Sequence, residues 1–178
     1  EVQWLSSDLR DLLELAIATR NHDVISTVAF TPIAIARRAI EKHDHYIFQE
    51  FVRFAESLYF LATKIQDDDS LKKYLIDRSW RYISELCNFY VEHQLDKDVL
   101  TLEQIKSYKD FSIHFLYVYQ NLLKQSFDNG DIHSFTEFKR EVSKLFNRTY
   151  RHNGFSRETQ HLEYELENNS KTALYWMF

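Results

Sequence analysis

Arg38 and His43 close an apolar helical pattern, in the run Arg38-Ala39-Ile40-Glu41-Lys42-His43. An arginine can hold an anion, and an imidazole can give or take a proton near neutral pH. The same residues also suit a plain helix C-terminus, whose dipole favours positive charge. Glu158-Thr159-Gln160-His161 sets a carboxylate and an imidazole one turn apart, as each half of a di-iron bundle does. The chain has no second such element. Asp110 and His114 share a helical face, and His43 and His45 flank Asp44, but spacing alone makes none of these groups converge. Neither a metal nor a cofactor is therefore expected. Cys87 lies between Leu86 and Phe89 in an apolar pattern and reads as core. Gly130 and Gly154 stand alone, so no glycine-rich phosphate loop can form.

The Arg38–His43 spacing resembles the Arg-x4-His element of HEPN-type ribonucleases, which are all-helical. Ala39 stands where that family carries a polar residue. The resemblance implies Arg38 as the phosphate-charge stabiliser and His43 as general acid or base. A second polar feature is a basic stripe of Arg140, Lys144, Arg148 and Arg151 with His152 beside it, a candidate anion-binding face. Glu137 and Glu141 interrupt it, and Glu158, Glu163, Glu165 and Glu167 follow, so mutual neutralisation on a solvated face is the expectation.

These residues need a scaffold, and composition restricts what it can be. A chain of 178 residues supports one domain, expected over 1–178, with a core that needs no disulfide. It has only two glycines and one proline, which argues against tight-turned sheets and for helices joined by short polar links. The single cysteine points to a reducing compartment, here the cytoplasm. A net charge of −5 gives no general attraction to nucleic acid, which is not expected as a partner. No apolar run in the chain reaches the length of a membrane span, although flanking sequence could supply one. The ends are rich in apolar residues: Trp4 and Leu5 at one, and Leu174, Tyr175, Trp176, Met177 and Phe178 at the other. We expect a piece of a longer protein, or a chain whose aromatic ends dock. Trp4, Tyr175, Trp176 and Phe178 are then the residues that would meet a protein partner or a second copy.

The stretch Asp23–Lys64 organises the scaffold. Ile25, Val28, Ala29, Ile33, Ala36 and Ile40 recur at helical spacing, as do Phe48, Phe51, Val52, Ala55, Leu58, Tyr59 and Ala62. The spacing predicts a helical hairpin about Lys42-His43-Asp44. Ahead of it, Leu9, Leu12, Leu13, Ala16 and Ile17 make the stripe of a first helix starting after Ser6 or Ser7. Asp23, Asp44, Ser70, Thr101 and Ser134 are the expected caps of the following helices, and a last helix is expected from Ser156. Pro32 should kink the second helix rather than restart it. Asn21-His22-Asp23, Lys42-His43-Asp44 and Asn129-Gly130-Asp131 each precede a phenylalanine seven residues beyond the Asp: Phe30, Phe51 and Phe138. This construction resembles the hairpin junctions of tetratricopeptide-like α-solenoids. The expected fold is thus all-α, with about seven helices in antiparallel hairpins, as an irregular bundle or a short α-solenoid-like array. The expected function is non-enzymatic: a helical interaction or scaffold module for a protein partner. The alternatives are a HEPN-like RNA-cleaving or RNA-binding domain and the cytosolic portion of a membrane-anchored protein.

Overall fold

The computed structural model describes residues 2–95 and 102–150, with side chains over 4–93, 110–112 and 114–144. The described residues are helical apart from short links. The helices are α1 (Val2–Ala18), α2 (His22–Glu41), α3 (His45–Val52), α4 (Phe54–Lys64), α5 (Asp69–Tyr90), α6 (Leu102–Asp128) and α7 (Ile132–Tyr150). A π-helical turn, Val91–Leu95, extends α5. The all-α class and the hairpin construction are as expected, while the helix expected from Ser156 lies outside the described residues. Contacts gather the chain into two compact units, Glu1–Leu86 and Cys87–Phe178, and the boundary falls within α5.

Three of the links share one geometry. A helix ends with a residue in the left-handed region, Arg20 (φ 53°), His43 (φ 54°) or Gly130 (φ 67°). The next residue closes the old helix and caps the new one. Its backbone N–H reaches back five residues, Asn21 to Ala16, Asp44 to Ala39 and Asp131 to Ser126, each at 2.9 Å. Its side-chain oxygen accepts from the N–H three residues ahead, at Val24 (3.2 Å), Ile47 (3.0 Å) and Ser134 (3.0 Å). The acceptors Ala16, Ala39 and Ser126 are small and buried, so adjacent helices can approach closely. Carbonyls orphaned at one helix end and N–H groups orphaned at the next are thereby satisfied within one link.

This geometry confirms Asp44 as a cap and corrects three others. Asn21, not Asp23, caps α2. The residue seven beyond it is the buried Val28, while Phe30 is exposed and covered in part by the Arg78 guanidinium, 4.2 Å from the ring centroid. Asp68, not Ser70, caps α5 by accepting from Leu71 N–H at 2.9 Å. Asp131, not Ser134, caps α7, and the Ser134 hydroxyl donates to the same carboxylate. Thr101 lies outside the described residues. The first helix begins at Val2, and Ser6 is buried with its hydroxyl 3.5 Å from Glu50 instead of capping. Pro32 is buried inside a single α2, and the Thr31 hydroxyl donates to Thr27 C=O rather than starting a new helix.

In the first unit, side-chain links fix helix directions. Ser6 meets Glu50 and Arg20 meets Asp67, so α1 runs parallel to α3 and α4. Phe30 meets Arg78 and Arg37 meets Glu85, so α2 runs parallel to α5. Ser79 meets Ala55 and Tyr82 meets Phe51, so α5 opposes α3 and α4. That alternation is the hairpin array of the expected fold. Its least expected feature is the break at Arg53, in a stretch without Gly or Pro. The buried Tyr82 hydroxyl donates to Phe51 C=O at 2.6 Å, and the buried Ser79 hydroxyl donates to Ala55 C=O at 2.8 Å. A hydroxyl inserted at a helix carbonyl is a recognised cause of such a break. Each hydroxyl would otherwise be buried without an acceptor. The break lets Phe51, Val52, Phe54 and Ala55 all be buried, with the Phe54 ring 5.9 Å from that of Tyr82.

The second unit is centred on aromatic residues. Tyr90 is buried against Phe111 and Phe115, with ring centroids 5.9 and 5.5 Å away, and its hydroxyl bonds that of Ser112 at 2.9 Å. The α6–α7 hairpin buries Tyr119, Leu122, Phe135 and Phe138. Two expectations about stability follow. Asp44→Ala should lower stability by about 1 kcal/mol through loss of the cap, and an unchanged urea midpoint would show that the cap contributes nothing. Tyr82 and Tyr119 are both held protonated well above the ordinary phenol value. Burial is the cause for Tyr82; for Tyr119 burial comes first, followed by its neighbours Cys87 and Glu141. Since an unfolded tyrosine ionises near pH ~10, the stability these two contribute is intact below that pH and lost as pH rises above it. Phenolate absorbance should therefore show at least two of the 11 tyrosines, Tyr82 and Tyr119 among them, appearing only with alkaline unfolding. All 11 titrating in the folded chain would contradict this.

Candidate functional site

Arg38 sits in the last turn of α2, exposed, with Nη1 2.9 Å from Glu41 Oε2. Its charge is thus partly matched by a carboxylate on its own helix. His43 lies two residues past the helix, and its left-handed backbone is the pivot of the α2–α3 junction. Both positions agree with the helix-end account of these residues. Neither side chain lines the cleft between α1 and α4.

The cleft that the first unit does offer has a volume of ≈ 430 Å³ and lies where the end of α1 faces α4 and the start of α5. Glu14, Arg20, Lys64, Asp67 and Asp68 supply its polar lining. Arg20 bonds Asp67 at 2.7 Å, and Lys64 Nζ stands 4.1 Å from the Phe60 ring centroid. No nucleophile or imidazole faces it. Among the described residues no group of three or more His, Cys, Asp or Glu could hold a metal. Glu158 and His161 lie outside them.

The basic stripe on α7 is answered within its own helix. Arg140 pairs with Glu137 and approaches Glu141 at 3.7 Å, and Lys144 bonds Glu141 at 2.6 Å. Each pair joins an exposed cation to a largely buried carboxylate, which reduces the free positive charge available to an anion. The side chain of Arg148 and all of Arg151 lie outside the described residues, as do Tyr175, Trp176 and Phe178.

Of the candidate partner-binding residues, Trp4 can be placed: it is 75 % exposed on α1. It does not stand alone. Leu5, Leu12 and Leu15 are exposed on the same helix, although Leu12 was expected in the buried stripe with Leu13. At 100° per residue these four fall within one arc of about 100°, and the buried Ser6 and Leu13 lie on the far side of the helix. The signal was present in the sequence, because leucines at 5, 9, 12, 13 and 15 span more of a helix than neighbours on one side can cover. No family model, curated protein or solved structure matches the chain.

The two accounts of His43 separate experimentally. A left-handed non-glycine residue carries roughly 1 kcal/mol of strain, so His43→Gly should raise the melting temperature. Arg38→Ala should change it little, since an exposed pair is worth at most ~1 kcal/mol. Neither substitution should alter any activity of the purified chain toward RNA. Metal-independent RNA cleavage that disappears in both variants would reverse the assignment.

Proposed function

We propose that the chain is a non-enzymatic interaction module: a helical-hairpin scaffold that presents exposed helix faces to a protein partner. The observation that carries this reading is the exposed apolar stripe of α1, on a helix whose opposite side is packed against its own unit. Large apolar residues exposed along one side of a packed helix suit docking more than catalysis. Two further features support it. The cleft is lined by charged and aliphatic side chains, with Arg20 paired to Asp67, and no Ser, Cys or His is among its lining residues. Tyr82 and Tyr119, whose phenols are held protonated well above the ordinary value, are buried core residues, not residues of an open site. The buried thiol of Cys87 suits a reducing compartment, and we propose a cytoplasmic location on that ground. Among the described residues no helix is long and apolar enough to cross a membrane.

The full chain, purified from its native cells, should bring down a stoichiometric protein partner that rebinds when both components are mixed pure. If no such partner is recovered and the pure chain instead turns over RNA, the reading fails.

A further inference from the structure

The stripe on α1 has a chemistry that selects among occupants. Trp4 and Leu15 are 75 % and 60 % exposed, and Leu5 and Leu12 continue the same arc. Asp8 stands among them, Asp11 borders them, and Glu14, also exposed, lies farther round the helix toward the cleft that it lines; none of the exposed positions of α1 within the helix is Lys or Arg. Arg10 is half-buried on another side, and Arg20, beyond the helix end, bonds Asp67. The buried side of α1 is occupied by α2, α3 and α4. A helix of 17 residues offers roughly 25 Å of length, enough for four turns of a facing helix.

From this we infer that the exposed face of α1 docks an amphipathic helix of a partner protein whose apolar stripe is bordered by Lys and Arg. The inference rests on the module reading and adds the surface and the partner's chemistry. Trp4, Leu5, Leu12 and Leu15 supply apolar area, and helix-in-groove recognition uses anchors at this spacing. Asp8, Asp11 and Glu14 set the partner's sign. A second copy of α1 fits poorly, because pairing α1 with itself brings the three carboxylates against their own counterparts. A lipid surface fits poorly for the same reason, since helices that lie on anionic membranes border their apolar face with cations.

The test uses the full chain and two synthetic helical peptides with the same leucine stripe, one flanked by Lys and the other by Glu. Fluorescence anisotropy should show the Lys-flanked peptide binding at least ~10-fold tighter at low salt. Leu12→Asp with Leu15→Asp should remove that binding. Asp8→Lys, Asp11→Lys and Glu14→Lys together should transfer the preference to the Glu-flanked peptide. Circular dichroism checks that these exposed substitutions leave the fold intact. Equal affinity for the two peptides, or undiminished binding by the double leucine variant, overturns the inference. A dimer in light scattering that the leucine variant disperses overturns it too, by identifying a second copy as the occupant. A stoichiometric native partner that binds the leucine variant as well as the wild type removes the α1 site but leaves the module reading standing. Absence of any native partner removes that reading itself.

Discussion

Every helix leaves N–H groups unpaired at its start and carbonyls unpaired at its end, and a chain of helices with few glycines must settle both debts in very short links. Here one residue serves both ends. Asn21, Asp44 and Asp131 each donate a backbone N–H to the helix behind and accept with a side-chain oxygen from the helix ahead. The residue before each must then turn left-handed, which Gly130 does freely and Arg20 and His43 do under strain. Tight links dictate antiparallel neighbours, and the small residues Ala16, Ala39 and Ser126 beneath them let the helices close. The hairpin pattern follows from that constraint.

The same constraint places the residues of the candidate chemistry. His43 occupies a position that a helix junction requires to be left-handed, and Arg38 lies in the last turn before it, paired with Glu41. The two residues that most resembled a catalytic pair are thus placed by the way one helix ends and another begins. On α7 the basic residues find carboxylates one turn away, again a local arrangement.

Buried hydroxyls set the finer shape. Tyr82 and Ser79 each need an acceptor once α5 covers them, and both take carbonyls flanking Arg53, where α3 gives way to α4. In the second unit the buried Tyr90 hydroxyl instead meets a side chain, the hydroxyl of Ser112. Large aromatic residues with polar tips therefore do more than fill volume: their tips decide where the backbone departs from regularity.

Much of the fold was legible in the order of residues. Helical spacing of apolar residues determines the all-α class, and Asp44 with its neighbours determines the central hairpin, because period and capping are local properties. Choosing between two adjacent cap candidates was not local enough: Asn21 prevailed over Asp23, and Asp68 over Ser70, because the cap must also suit the end of the preceding helix or link. The break at Arg53 was invisible in a stretch without Gly or Pro, since its cause is a pair of hydroxyls nearly thirty residues away in sequence. Which side of α1 would be covered was equally undecided. Its leucines span a wide arc, and only the placement of α2, α3 and α4 against Leu13 and Ala16 leaves Trp4, Leu12 and Leu15 facing water. Local spacing specifies which surfaces are apolar, whereas burial depends on which neighbours arrive, and that is a property of the assembled helices alone.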